Sequence, residues 1–191
     1  LEYFQDLLGL SDRKHLNEYL RGCTDCCVLE CGTGRKSNGK RVGIFQLGAS
    51  GAVRSLSADD SAAALDLLAK QHPDVTWFAA LDQFMDYSYR LKAEATGNKN
   101  VVVEEFKDLR LLMALTSISS LVVSPDSFMV HAAGSLGVPC IGLWGPTSPE
   151  NRTKYYPRHH ALWPTASCSV SPCYRHRNDV PAFCPTASSR R

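Results

Sequence analysis

The sequence predicts an α/β fold built on a parallel sheet with helices on both faces. Short apolar runs alternate with segments of helical periodicity between residues 41 and 144, and most connections between them are short. Apolar residues make up 44% of the 191 residues, which is enough for a sizeable core. We therefore expect a linker helix and Cys-rich loop at 1–40, a Rossmann-like domain at 41–165, and a Cys- and Pro-rich tail at 166–191.

The first strand and helix of this domain follow from local signals. Residues 41–47, RVGIFQL, form an apolar run that predicts a strand, and the Gly- and Ser-rich residues 48–57 predict a loop. Ser57 opens an S-x-x-D pattern that suits a helix N-terminus. The predicted helix covers 58–71, and the His-Pro pair that follows ends it.

The same alternation continues to residue 144. Strands are predicted at 75–80, 101–103, 121–124 and 140–144, and helices at 82–95, 109–118 and 128–136. Together with the first strand, the sheet is predicted to have five strands. Residues 1–21 carry an approximate helical stripe. From Thr147 onward we expect mostly loop, with one helical turn near Glu150.

Charge and hydropathy exclude several classes of protein. The net charge is only +2 and the basic residues are scattered, which argues against nucleic-acid binding. No apolar run approaches the roughly 18 residues of a membrane span, and no signal peptide is recognisable. We therefore expect a cytoplasmic chain without a transmembrane segment. Because it begins at Leu1 rather than Met, it is expected to be part of a longer protein.

Three loops follow predicted strands and carry polar side chains. Gly48–Arg54, GASGAVR, offers small residues and backbone N–H groups to phosphate oxygens, and Arg54 adds a positive charge. Asp126 and Ser127 follow a strand and precede the helix that carries His131. Each feature also has a purely structural interpretation: a plain turn, a pair of capping residues, and a packed histidine.

The third loop is Gly145–Glu150, in which Thr147 and Ser148 can bond a sugar or a phosphate. A simple Pro- and Gly-containing turn is the structural alternative. The carboxyl ends of parallel strands meet at one edge of a sheet, and ligands of open α/β sheets bind there. The convergence of three such loops predicts a ligand cleft at that edge.

These motifs resemble glycosyltransferase family nine, the lipopolysaccharide heptosyltransferase family. Residues 121–150, LVVSPDSFMVHAAGSLGVPCIGLWGPTSPE, are similar to its signature: an Asp, a small hydroxyl residue, a His in an Ala-rich helix, a Leu-Gly-x-Pro turn, an apolar strand and Gly-Pro-Thr-x-Pro. The loop at 48–57 is also similar, with a basic residue after a small or hydroxyl pair. The resemblance covers about residues 1–185.

The resemblance implies the C-terminal half of a GT-B fold, which binds a nucleotide-sugar donor, with an ADP-sugar foremost. It implies an inverting glycosyltransferase without an obligatory metal, which transfers a sugar to lipopolysaccharide or to another glycan, lipid-linked or protein acceptor. We therefore expect a cytoplasmic protein, with a peripheral place at the inner membrane face as one option. The catalytic base belongs to the N-terminal half, so this chain alone is expected to bind the donor without transferring the sugar.

The resemblance also implies roles for particular residues. Ser50 and Arg54 would contact the donor diphosphate, with Ser127 nearby, and Asp126 would bind the sugar hydroxyls. His131 would support that loop or the phosphates, and Thr147 would lie nearby. Asp82 or Gln83, after the second strand, would meet the ribose. Where many members have Thr-Gly or Ser-Gly after the Asp, this chain has Ser127-Phe128, so a sugar other than heptose fits as well.

Eight cysteines leave two rival interpretations open. Cys168, Cys173 and Cys184 can hold a structural zinc or iron, and a site that Cys23 and Cys26 share with two of these tail cysteines is a second arrangement; Cys27 and Cys31 are adjacent to that pair. Reduced free thiols are the alternative. The chain can accordingly be a Cys-based metal domain. Because the N-terminal half and its general base are missing from this sequence, a non-catalytic interaction module that retains the fold is a further alternative.

Overall fold

The computed structural model describes residues 41–83, 85–163 and 171–174. Within them the chain forms a parallel sheet of six strands in the order β3-β2-β1-β4-β5-β6. The strands are β1 Arg41–Gln46, β2 Val75–Leu81, β3 Val101–Glu105, β4 Leu121–Pro125, β5 Cys140–Leu143 and β6 His159–Leu162. The predicted Rossmann-like α/β fold is therefore confirmed.

Helices connect these strands. They are α1 Ala58–Gln71, α2 Tyr87–Glu94, α3 Leu109–Ile118, α4 Phe128–Leu136 and α5 Glu150–Thr153, and a single 3-10 turn forms at Ala52–Arg54. The first four begin at a side-chain cap. Ser57 Oγ accepts from Asp60 N at 3.1 Å and Asp108 accepts from Arg110 N at 2.8 Å. Bounds predicted for α1, α3 and α4 are confirmed residue for residue.

The predicted start of α2 is wrong. The helix begins at Tyr87 rather than Asp82, because Asp86 is its N-cap and accepts a hydrogen bond from Ser88 N at 2.7 Å. Residues just before it form a turn in which Met85 N donates to Asp82 O at 3.0 Å. Here the cap residue marks the helix start better than the hydrophobic period does.

β6 was not expected, since the region after Thr147 was predicted to be mostly loop. Residues His159–Leu162 pair in parallel with β5 and extend the sheet by one edge strand. Both His160 and Leu162 are exposed, so this four-residue strand lacks the continuous apolar run that a central parallel strand shows. Its identity comes from pairing with β5 rather than from local propensity.

The core lies on both faces of the sheet. One cluster contains Ile44, Phe78, Val122, Met129 and Trp144, and the other contains Phe45, Leu65, Trp77, Ala79 and Val123. Neighbouring residues of one strand thus face opposite clusters, and β1 is buried from its second residue to its last. The strands are continuous apolar runs because both of their faces are buried in the core.

The chain reverses its winding direction between β1 and β4. β1 pairs with β2 on one side and with β4 on the other, so the connections from β1 and β4 leave in opposite directions along the sheet. In open α/β sheets this switch point leaves a crevice outside the carboxyl ends of the two strands. Among the described residues, no helix is both long and apolar enough to cross a lipid bilayer.

Several sequence predictions lie outside the described residues. They are the helix at 1–21, the Cys-rich loop that follows it, and the tail except for residues 171–174. The predicted division into 1–40, 41–165 and 166–191 stays a prediction.

Candidate functional site

Arg54 ties together the two loops that flank the switch point. Its Nη2 donates to Ser50 Oγ at 2.6 Å within the loop after β1, and its Nη1 donates to the carbonyl oxygen of Asp126 at 2.8 Å in the loop after β4. Its Nε is buried and has no hydrogen-bond partner in the described part of the chain. Because both partners are neutral, neither of these contacts offsets the charge of the guanidinium.

A serine that sequence reasoning missed shapes the loop that carries Arg54. Ser55 Oγ accepts from Ala49 N at 2.8 Å and lies within donating distance of Gly51 O at 3.1 Å. Arg54 N donates to the same Gly51 carbonyl at 3.0 Å. The loop is thereby folded back on itself, and Arg54 is presented toward β4. Ser55 lies directly after the basic residue, and only its contacts distinguish it from an ordinary loop serine.

Asp126 is buried, with 4% of its surface exposed, and its carboxylate is held from the next strand. Thr147 Oγ1, in the loop after β5, donates to Asp126 Oδ2 at 2.5 Å. Thr147 is itself fully buried. The loops after β1, β4 and β5 therefore meet at Asp126, as the sequence predicts.

Ser127, and not Asp126, caps α4. Ser127 Oγ accepts from Met129 N at 3.3 Å and lies 2.9 Å from Ser124 Oγ, another serine that sequence reasoning missed. The capping interpretation is therefore right for Ser127 and wrong for Asp126. The carboxylate of Asp126 is directed to Thr147 across the sheet edge, and the Ser127 hydroxyl is used inside the protein.

His131 lies one turn into α4 and contacts Tyr156. Its Nδ1 is 3.0 Å from Tyr156 Oη, and the two rings meet edge to face with centroids 5.9 Å apart. Burial lowers the pKa of His131 below its ordinary value of 6.5; the Asp126 carboxylate raises this pKa and Arg152 lowers it. The imidazole is consequently neutral at pH 7 and lies within the electrostatic reach of Asp126.

The loop that carries Thr147 is supported by a returning segment of the chain. Ser171 Oγ donates to Gly145 O at 3.2 Å, and Tyr174 N donates to Pro146 O at 2.8 Å. Asn151 Nδ2 in turn donates to Tyr174 Oη at 2.7 Å. Residues 171–174 of the predicted tail thus form part of the site's support, a contact that no local sequence signal reveals.

Asp82 follows β2 at the same edge of the sheet. The residue is exposed, and its backbone closes the turn with Met85, whose Sδ lies 3.4 Å from Asp82 N. The structure therefore places Asp82 beside the loop of β1 in strand order, and its role at a ribose stays a prediction. Phe128, the first residue of α4, is 38% exposed.

The metal hypothesis rests mainly on residues outside the described ranges. Within those ranges, no group of three or more His, Cys, Asp or Glu residues could hold a metal ion. Cys140 is buried, and burial raises the pKa of its thiol to about 12, whereas Cys173 is exposed. The remaining six cysteines, Cys23, Cys26, Cys27, Cys31, Cys168 and Cys184, lie outside the described residues.

These observations describe a Rossmann-like α/β domain with polar loops gathered at its switch point. The sequence profile of glycosyltransferase family 9 (heptosyltransferase) matches residues 44–181. That match spans more than half of the chain, so the chain belongs to glycosyltransferase family 9. No curated protein sequence matches it.

Solved structures show the same fold at low sequence identity. E. coli ADP-heptose lipopolysaccharide heptosyltransferase II is 15% identical, with a TM-score of 0.62 over 80% of this chain and 44% of that one. E. coli heptosyltransferase WaaC with ADP is 17% identical, with a TM-score of 0.56 over 66% of this chain and 39% of that one. A family 9 glycosyltransferase from Veillonella parvula is 20% identical, with a TM-score of 0.59 over 69% and 37%. The chain spans less than half the length of each.

Proposed function

We propose that this chain is the nucleotide-sugar-binding half of an inverting, heptosyltransferase-like glycosyltransferase. One observation carries the proposal: Arg54, Asp126 and Thr147, from three separate loops, are joined by hydrogen bonds at the switch point of the sheet. Two of the similar structures contain ADP or ADP-2-deoxy-2-fluoro heptose, which supports an ADP-sugar as the donor. The acceptor is lipopolysaccharide or another glycan, lipid-linked or protein acceptor, reached from the cytoplasmic face of the inner membrane.

The charge of Arg54 is the basis for recognising the donor diphosphate. The guanidinium contacts a carbonyl and a hydroxyl, both uncharged, and so retains its positive charge for an anionic ligand. Ser50 is exposed beside it and is proposed to contact the same phosphates. The N-terminus of α4, capped by Ser127, adds the positive end of its dipole.

Asp126 is proposed to orient the sugar. Thr147 fixes one carboxylate oxygen, and a carboxylate held in one position by burial and a hydrogen bond is suited to receive sugar hydroxyls. Because Phe128 is partly exposed next to this position, the sugar is either heptose or another sugar that tolerates an aromatic neighbour. Asp82 is proposed to meet the ribose from the neighbouring strand.

No metal is required at this site in the proposal. Positive charge from Arg54 and the α4 N-terminus would stabilise the diphosphate as it leaves, which is the usual electrostatic solution for a leaving anion. A structural zinc or iron at Cys168, Cys173 and Cys184 is a separate proposal. Native mass spectrometry tests it: an added metal mass supports it, and an unmodified mass contradicts it.

The experiment that tests the proposed function is calorimetric titration of ADP, GDP and UDP into this chain. We expect ADP to bind, and the Arg54→Ala variant to bind it roughly 10- to 100-fold more weakly, since a hydrogen bond to a charged group contributes about 1.5–3 kcal/mol. Arg54→Lys keeps the charge and should retain part of the affinity.

Arg41→Ala is the matched control. Arg41 begins β1, at the opposite edge of the sheet, and its exposed guanidinium pairs with Asp74 at 2.8 Å. This variant should bind ADP as the wild type does. A folded chain that binds none of the three nucleotides would contradict the donor-binding proposal and favour a non-catalytic interaction module. Donor binding without sugar transfer is expected for this chain alone, because a GT-B site must close between two halves.

A further inference from the structure

Tyr156 occupies the turn between α5 and β6 and packs against α4. Its ring lies directly over Gly134, where a Cβ atom would be 2.5 Å from the ring carbons. A side chain at position 134 would displace this ring, so the glycine makes the close approach feasible. The tyrosine ring is therefore fixed by packing against the helix that carries His131.

The hydroxyl of this fixed ring reaches the imidazole of His131. The distance from Tyr156 Oη to His131 Nδ1 is 3.0 Å, and the rings are inclined at 74°. Burial raises the pKa of Tyr156, so the phenol is protonated at neutral pH, and burial lowers the pKa of His131, so the imidazole is neutral. A neutral imidazole has one N–H donor and one acceptor, and a hydrogen bond at one nitrogen decides which is which.

Either atom of this hydrogen bond can be the donor, but the phenol O–H is the more acidic donor and the imidazole nitrogen the more basic acceptor, so the arrangement in which Tyr156 donates is favoured. With Tyr156 donating to Nδ1, the imidazole proton sits on Nε2. Among the charged groups that act on His131, Asp126 attracts a proton and Arg152 repels one. His159, which is also close enough to interact with His131, is kept neutral because burial lowers its pKa. An N–H at Nε2 then serves as a donor to an anion, whereas a lone pair there would oppose one.

We infer that Tyr156 is a positioning residue: its hydroxyl holds His131 as the Nε2–H tautomer, so that the imidazole donates a hydrogen bond to the diphosphate of the donor. The diphosphate as the ligand rests on the proposed function, whereas the assignment of the His131 tautomer is independent of it. The inference gives Tyr156, which lies outside the three sheet-edge loops, a role in donor binding through a side chain on α4.

Two measurements on this chain test the inference. The first is the tautomer of His131, read from the ¹⁵N chemical shifts of histidine-labelled protein and assigned with His131→Gln. The wild type should show protonated Nε2 and unprotonated Nδ1. Tyr156→Phe keeps the packed ring and removes only the hydroxyl, and should give a mixture of tautomers. Tyr155→Phe is the matched control, since Tyr155 is 76% exposed, and it should leave the tautomer unchanged.

The second measurement is ADP affinity. Tyr156→Phe should weaken ADP binding about two- to fivefold, because only the Nε2–H fraction of the mixture can donate and the affinity falls by that fraction. In a His131→Gln background Tyr156→Phe should not weaken ADP binding further, because the imidazole through which Tyr156 acts is absent. A purely structural tyrosine would change the melting temperature without changing the tautomer.

The outcomes separate this inference from the proposed function. An unchanged tautomer in Tyr156→Phe, or protonated Nδ1 in the wild type, overturns the inference even if ADP binds. A shifted tautomer with unchanged ADP affinity overturns its ligand-binding part. If the wild type binds no nucleotide, both the proposed function and the ligand-binding part of the inference are contradicted. The tautomer measurement still decides whether Tyr156 sets the position of the proton on His131.

Discussion

Two polar centres lie at opposite edges of the sheet and differ in how their hydrogen bonds are satisfied. At the amino edge, Asn100 is buried just before β3, and its Nδ2 lies 3.0 Å from Ala69 O, 2.9 Å from Val75 O and 3.4 Å from His72 O. It thereby joins the end of α1 to the starts of β2 and β3. These three contacts of Nδ2 are all with backbone carbonyls of adjacent segments, so the centre holds the fold together.

At the carboxyl edge, Arg54, Asp126 and Thr147 connect loops and not ends of regular elements. Arg54 keeps its charge and a buried Nε without a partner in the described part of the chain. The indole Nε1 of Trp77 is also buried without a partner there, but it belongs to the core cluster inside the sheet. The two unpaired donors thus lie in different settings, one in the core and one where loops converge, and only the second is proposed to meet a ligand.

The largest expected effect is on stability, at the amino edge. Asn100→Ala leaves backbone carbonyls without their buried donor and should lower the free energy of unfolding by about 3 kcal/mol. ADP affinity of the folded fraction should not change. Urea denaturation and calorimetry measure the two quantities.

Asn98→Ala is the control for that substitution. Asn98 is only half-buried, and its side-chain Nδ2 makes a long contact of 3.4 Å with Asp66 Oδ1, so the cost should stay within about 0.5 kcal/mol. Loss of ADP binding in a folded Asn100→Ala protein would show that the two edges are not independent.

A smaller effect is expected at the carboxyl edge. Thr147→Val keeps the shape of the side chain and removes the hydroxyl that fixes Asp126, which should cost about 1–2 kcal/mol of stability and weaken binding of an ADP-sugar several-fold. Thr153→Val is the matched variant: Thr153 is also buried, and its Oγ1 donates at 2.8 Å to the carbonyl oxygen of Pro149, the N-cap of α5. Equal loss of ADP-sugar affinity in both variants would contradict the claim that Thr147 supports binding by fixing Asp126.

The smallest expected effect is a dependence of stability on pH. Burial lowers the folded-state pKa of both His131 and His159 below 6.5, so the unfolded chain binds more protons than the folded one just below that pH. The stability that the two neutral histidines contribute is fully present above pH 6.5, and it is lost as the pH falls toward their folded-state pKa values. Urea titrations between about pH 7.5 and 5.5 should show this decline, with a shallower slope in His131→Gln. Identical slopes would contradict it.

The sequence predicted the sheet because continuous apolar runs and cap residues are local signals. Ser57 and the Gly137 turn mark helix ends, the latter with a left-handed φ of 68° after α4. The edge strand β6 was not predicted, because it forms through pairing with β5 and not through a local sequence signal. At the site, the same logic holds: Arg54, Asp126 and Thr147 were predicted from their places after strands. The supporting contacts of Ser55, Tyr156 and residues 171–174 are long-range, and spacing does not encode them.

The most direct test of the central claim is calorimetric titration of ADP and of an ADP-sugar into the wild type and Asp126→Ala. Asp126→Asn serves as a control that keeps an oxygen for the Thr147 hydroxyl. If Asp126 orients the sugar, Asp126→Ala should bind ADP nearly as the wild type does and lose about 1.5–3 kcal/mol for the ADP-sugar alone. Equal weakening of both ligands, or of neither, in a folded variant would contradict the assignment of Asp126 to the sugar.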